Sequence, residues 1–146
     1  MALSRSKPKK RISPIWIAVI LIGAISLGAA LLLLNPADTA AALKPEITVK
    51  EAAALRDAGA FILDVRQPEE WADYHVPGST LIPLDELPNW LSEIPMDQQV
   101  VVVCRSGNRS QAGRDILLKA GFDQVASMAG GLSAWRSLGY PTVSGP

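Results

Sequence analysis

The chain has 146 residues, enough for one globular domain. Its formal net charge is zero, but the halves differ: residues 1–34 carry Arg5, Lys7, Lys9, Lys10 and Arg11 with no acid, and residues 35–146 carry nine basic and fourteen acidic residues, a net of −5. An acidic domain does not favour nucleic acid as a partner. A single cysteine, Cys104, excludes an intramolecular disulfide and any multi-cysteine zinc site. It also leaves no second cysteine within the chain to resolve an oxidised Cys104.

Residues 1–14 are basic and polar, with Pro8 and Pro14, and read as a cytoplasmic arm. Residues 15–34 contain no charge, and as a helix at 1.5 Å per residue they cover about 30 Å, the thickness of the hydrocarbon layer. Trp16 stands at interfacial depth. Five basic residues precede this span, and only Lys44 and Lys50 fall within the twenty residues after it. The positive-inside rule then expects a single-pass protein with a cytoplasmic N-terminus and its domain across the membrane, in the periplasm or outside if the cell is bacterial. The competing reading is a signal peptide cleaved near Ala40-Ala41-Ala42, but the apolar run exceeds the usual about 7–15 residues, which favours a retained anchor. Ala24 and Gly28 form a small-xxx-small pair. Such residues are ordinary in membrane helices, and they also allow a homodimer through the span.

Residues 35–43, with Pro36, form a linker, and the domain is expected to start near Lys44. Ile47 to Val49 predicts a short strand, and Lys50 to Ala58 a helix closed by Gly59. Phe61 to Val65 predicts a strand. A short helix from Glu69 to Tyr74 follows Pro68, then a strand from Thr80 to Ile82. Leu84 to Ile94 predicts an amphipathic helix interrupted at Pro88. The four valines Val100 to Val103 read as a strand buried on both faces. Ser110 to Ala120 predicts a helix with Ala112, Ile116, Leu117 and Ala120 along one side. Asp123 to Met128 predicts a last strand, and Gly130-Gly131 opens a short helix through Leu138. Strands alternating with helices predict an α/β domain with a mostly parallel sheet of about five strands.

The chemistry concentrates where the valine strand ends. Strand, cysteine-led loop and helix follow one another, so the loop amides sit at a helix N-terminus and form a nest for an anion. Arg105 and Arg109 add positive charge beside the cysteine, which favours negative charge on its sulfur. A lone cysteine at a strand end is ordinarily a small buried hydrophobe. Two arginines flanking it at a helix start are costly unless an anion binds there, which sets the whole string apart from that ordinary case.

The loop Cys104-Arg105-Ser106-Gly107-Asn108-Arg109, with Ser110 behind it, resembles the active loop of the rhodanese (sulfurtransferase) family, which holds six residues from the nucleophilic cysteine onward. Tyrosine phosphatases, Cdc25-type phosphatases and arsenate reductases carry Cys-x5-Arg, and at that position this chain has Ser110. Two further stretches resemble rhodanese motifs: Asp64-Val-Arg66 through Trp71 with His75-Val-Pro77-Gly78-Ser79, and Gly130-Gly131-Leu-Ser-Ala-Trp135 with Gly139-Tyr-Pro141. The likeness covers residues 45–143. It departs at Tyr74, where the family commonly has glycine, and at Ser127-Met128-Ala129, where Asn or Asp is common.

The resemblance implies a three-layer rhodanese-like domain over residues 44–146, with Cys104 as the catalytic nucleophile. It implies Arg105, Ser106, Gly107, Asn108, Arg109 and Ser110 as the substrate-binding loop, and thiosulfate or a similar anionic sulfur donor. The sulfur is held as a Cys104 persulfide and passed to a thiol or, in assays, cyanide. The resemblance implies no metal and no organic cofactor. Asp64 and Arg66 are expected to form a structural pair. His75, the only histidine, is a residue type that can serve as a base, but its motif position implies a structural role. Trp71 and Trp135 are expected in the core or a pocket wall. Two other functions fit less well: a non-catalytic persulfide carrier or protein-docking module, and an arsenate reductase or phosphatase.

Overall fold

A computed structural model describes residues 42–145. The expected arm (1–14), membrane span (15–34) and most of the linker (35–43) lie outside the described residues. Among the described residues no helix is long and apolar enough to cross a membrane.

The domain is a five-stranded parallel sheet flanked by helices. In chain order its elements are β1 (Glu46–Ile47), α1 (Val49–Asp57), β2 (Phe61–Asp64), α2 (Pro68–Asp73), β3 (Thr80–Leu81), two 3-10 turns (Leu87–Asn89 and Leu91–Glu93), β4 (Val100–Val103), α3 (Asn108–Lys119), β5 (Val125–Met128) and α4 (Gly131–Ser137). The strand order is β1-β5-β4-β2-β3. β4 is therefore central, in register with β2 from Phe61↔Val100 to Asp64↔Val103, and with β5 from Val100↔Val125 to Val102↔Ser127. The chain leaves β2 toward one edge and β4 toward the other. That reversal opens a crevice at the carboxyl ends of β2 and β4, the place where open α/β sheets bind ligands.

The four valines of β4 lie in the middle because both of their faces are covered. Val101 and Val103 pack into the layer that contains Ala52 and Ala53 of α1 and Leu132 and Trp135 of α4. Val100 and Val102 pack into the opposite layer, with Leu87, Ile94 and Leu117. Full burial contributes about 1.5–3 kcal/mol per such side chain, so an edge position would forfeit much of it.

Several boundaries differ from the sequence expectation. Thr48 is not in β1 but caps α1: its hydroxyl accepts the N–H of Glu51, whose carboxylate accepts the N–H of Thr48 in return. The expected helix over Leu84–Ile94 is replaced by the two 3-10 turns. Pro88 lacks an N–H and cannot continue a helical ladder, and short turns still bury Leu87 and Ile94. Helix α3 starts two residues earlier than expected, and its buried side is Ser110, Gly113 and Leu117. Ala112 and Ala120 face solvent. Small residues, rather than large apolar ones, bring α3 close to the sheet. A Cβ on Gly113 would lie 3.1 Å from Val102 Cγ1 and 3.3 Å from Val65 Cγ1.

Gly113→Leu therefore overpacks the α3–sheet contact. The expected loss is about 1–3 kcal/mol of unfolding free energy in urea titration, despite the better helix propensity of leucine.

Candidate active site

Cys104 stands just past the end of β4 and is buried, 1% exposed. The loop after it curls back, so the N–H of Gly107 reaches Cys104 Sγ at 3.1 Å. That turn needs a positive φ at Gly107 (106°), which glycine adopts without a Cβ clash.

Three carbonyls of the loop are held in place. Leu132 N–H donates to Cys104 O at 2.8 Å, and Ser133 N–H to Arg105 O at 3.0 Å. Both donors are in the first turn of α4, whose N–H groups have no partner within their own helix. Gly107 O accepts the buried Ser110 hydroxyl at 2.7 Å and the N–H of Gln111 at 3.2 Å. A trans peptide points its N–H opposite its C=O. Fixing these three carbonyls therefore turns the N–H groups of Arg105, Ser106 and Asn108 the other way. Among the described residues these N–H groups have no acceptor, and neither do those of Arg109 and Ser110. Several unspent amides, one helix N-terminus and a sulfur at the base make a site for a negatively charged group.

Gly131 makes this arrangement possible. A Cβ there would run into Cys104 O and would lie 2.6 Å from Arg105 C and 2.7 Å from Arg105 O. Its φ of 57° adds a second reason for glycine.

The arginines divide into paired and free. Arg109, at the start of α3, grips Glu70 of α2 with two bonds, Nη1–Oε2 at 2.7 Å and Nη2–Oε1 at 2.8 Å. These bonds hold the Glu70 carboxyl at about 2, well below its ordinary 4.5, and raise the Arg109 guanidinium above its usual value. The second arginine of the loop is thus an ionic tie to α2. Arg105 is exposed and meets no carboxylate among the described residues.

Asp64 and Arg66 form a buried ion pair at 2.7 Å, with side chains 0% and 1% exposed. Asp64 also accepts the Arg66 backbone N–H at 3.0 Å. The guanidinium donates onward to Glu70 O at 3.1 Å and Tyr74 O at 2.6 Å. Its charge is compensated and its donors are used by the backbone of α2 and the residue that ends it. His75 lies elsewhere. Its ring stacks on Trp71 at 3.7 Å, its Nδ1 is 3.1 Å from Trp71 O, and its backbone pairs with Val143. Trp135 is buried, with Nε1–H donating to Pro141 O at 2.9 Å. The sequence motifs did not single out Arg136. It stands in the last turn of α4 with its guanidinium 4.2 Å from the Tyr74 ring centroid. A basic residue at a helix end was its only sequence signal.

A parallel α/β sheet with a buried cysteine at its central carboxyl end, framed by outward-turned amides, defines a nucleophilic anion-handling enzyme class. A model of the rhodanese-like domain matches residues 48–138. A protein of Pseudomonas syringae named thiosulfate sulfurtransferase GlpE is 38% identical over 101 residues, covering 68% of this chain and 94% of its own. Its namesake from Stutzerimonas stutzeri is 35% identical over 96 residues, covering 66% of this chain and 87% of its own. The crystal structure of a rhodanese-related protein from Thermoplasma volcanium superposes with a TM-score of 0.64 at 30% identity, covering 68% of this chain and 98% of that one. The chain belongs to the rhodanese-like family and is a rhodanese-type transferase.

Two outcomes follow. Arg66→Met leaves Asp64 buried without its counter-charge, which costs about 3–5 kcal/mol of stability in urea unfolding. Glu70→Gln loses the ion pair, and at pH 7 costs about 1 kcal/mol after allowance for solvent screening. Because the folded Glu70 pKa is depressed from 4.5 to about 2, this contribution is full above the unfolded value and is lost as pH falls through that window. The stability curves of wild type and variant should therefore converge toward pH 2, which pH-resolved thermal unfolding checks.

Proposed function

We propose that the protein is a membrane-anchored sulfurtransferase that moves sulfane sulfur from thiosulfate, or a similar anionic donor, to a thiol through a Cys104 persulfide. The observation that carries this reading is the position of Cys104 Sγ, which accepts the Gly107 N–H at 3.1 Å inside a loop of free amides. The names of the relatives supply the donor class.

In the first half-reaction the Cys104 thiolate attacks the outer sulfur of thiosulfate. The sulfur–sulfur bond of the donor breaks, and sulfite leaves with its electron pair. Cys104 becomes a persulfide whose terminal sulfur is negative. The amides of Arg105, Ser106 and Asn108 stabilise that charge as an oxyanion hole does. Arg105, without a competing carboxylate, attracts the dianionic donor. In the second half-reaction an acceptor thiolate attacks the terminal sulfur, the persulfide passes to the acceptor, and the Cys104 thiolate returns. Cyanide in place of the thiol gives thiocyanate. The two half-reactions share one nucleophile, so the kinetics are ping-pong.

The anchor is the uncharged stretch 15–34, with residues 1–14 on the cytoplasmic side and the domain across the membrane. The external acceptor for the sulfur is then met on the far side of the membrane.

The test is thiosulfate:cyanide turnover by the full chain in detergent, beside Cys104→Ser. Wild-type turnover that disappears in the variant supports the reading. A folded wild type that gains one sulfur atom on Cys104 but does not turn over points to a persulfide carrier instead. A wild type that gains no sulfur rejects sulfur transfer from thiosulfate.

A further inference from the structure

Beside the active loop lies a cavity of about 270 Å³, lined by Arg66, Glu70, Asp73, Tyr74, Arg105 and Arg136. It approaches the about 300 Å³ at which small-molecule sites begin, and a five-atom thiosulfate leaves most of it empty. One wall is Arg105, the residue bonded to Cys104.

Two of its charges are already spent. Arg66 is paired with Asp64, and Glu70 with Arg109. The remaining charges are Asp73, Arg105 and Arg136, a net of +1, and neither arginine has a carboxylate partner among the described residues. The walls are also fixed. Tyr74 is held through its carbonyl by Arg66 at 2.6 Å and through its N–H by Glu70 O at 3.4 Å. Its ring carries the Arg66 guanidinium at 5.0 Å and the Arg136 guanidinium at 4.2 Å. Stacking on the ring orients the Arg136 fork while leaving its in-plane donors free. Arg136 rides on α4, the same helix that clamps the Cys104 and Arg105 carbonyls. Its place relative to the reacting sulfur is therefore set by one short rigid element.

A cavity with a free guanidinium fork, an aromatic wall and the residue next to Cys104 in its lining fits a molecule with three parts. These are a carboxylate for the fork, a short apolar stem for the ring, and a thiol for the persulfide. We propose that this cavity is the acceptor subsite, and that Arg136 with Tyr74 selects small thiols bearing a carboxylate. The inference rests on the sulfur-transfer reading above. The thiolate of the acceptor attacks the terminal sulfur of the Cys104 persulfide, and the carboxylate stays on Arg136 throughout. The interaction is the same before and after transfer, so it acts on KM for the acceptor rather than on kcat.

The experiment is a two-substrate steady-state assay of the full chain in detergent, with thiosulfate as donor. The acceptors are 3-mercaptopropionate and 2-mercaptoethanol, which differ in the carboxylate. The readout is the ratio of their kcat/KM values, for wild type, Arg136→Gln and Arg136→Lys. Arg136→Gln is expected to lower the ratio about tenfold, the effect of losing one charge-assisted contact at a partly exposed site. Arg136→Lys, which keeps the charge without the fork, should recover it to within about threefold. A ratio that does not move in Arg136→Gln overturns the proposal. So does a rise of about tenfold in the KM for thiosulfate with the ratio intact, which would give the cavity to the donor. Turnover with 2-mercaptoethanol reports that a variant is folded and competent in the first half-reaction. A wild type that turns over with neither thiol nor cyanide rejects the sulfur-transfer reading itself, and the subsite with it. A wild type active on cyanide but indifferent to the carboxylate rejects only the subsite.

Discussion

Two hydrogen bonds between non-adjacent parts of the chain set the active loop: Leu132 N–H to Cys104 O, and Ser133 N–H to Arg105 O. A helix N-terminus has donors to spare, and a loop that must aim its own donors at a ligand has carbonyls to place. α4 resolves both needs at once. The contact is so close that only glycine fits at 131, where any Cβ would meet the Cys104 and Arg105 carbonyls. β4 brings Cys104 to the sheet centre, but the peptide planes around the sulfur take their orientation from α4.

A second constraint is ionic and runs beside the first. Asp64 holds Arg66, Arg66 holds the backbone of α2 and Tyr74, and Glu70 of α2 holds Arg109 of the loop. The buried Asp64–Arg66 pair gains little in stability over an apolar pair of the same size. Its value here is geometric, since the guanidinium has donors enough to fix two separate carbonyls. The network also sorts the cations. Arg109 is neutralised by Glu70, and among the described residues Arg105 and Arg136, which line one cavity, meet no carboxylate. On the proposed reading, a dianionic donor and a thiol acceptor would each draw on one of these charges.

Much of this was legible in the sequence, for identifiable reasons. The run Val100–Val103 could only be a doubly covered strand, and that placed Cys104 at the centre of the sheet. Alternating strands and helices led to the parallel architecture. Local patterns misled where long-range packing decided. Leu84–Ile94 has a helical spacing of apolar residues, yet Pro88 and the need to bury Leu87 and Ile94 gave two short turns. The apolar periodicity of α3 pointed to Ala112 and Ala120, whereas the close approach to Val102 and Val65 demanded Gly113. Arg109 looked like a free cation because its partner Glu70 is 39 positions away in the chain. Arg136 carried no motif signal, because its meaning comes from the ring of Tyr74, which only the fold brings to it. The expected span 15–34 rests on composition alone and lies outside the described residues.

On the proposed reading, the clamp from α4 makes Cys104 a sulfur acceptor by turning the loop amides toward its anion. The most direct measurement is the single-turnover rate of persulfide formation on Cys104 from thiosulfate, followed by intact-protein mass, in wild type and Gly131→Ala. The added methyl pushes on the Cys104 and Arg105 carbonyls and rotates their peptides. The expected result is a fall of about 100-fold, the effect of losing an oxyanion-hole donor, in protein that still unfolds cooperatively. Sulfur uptake within about twofold of wild type would contradict it, because the loop would then work without the geometry that α4 imposes.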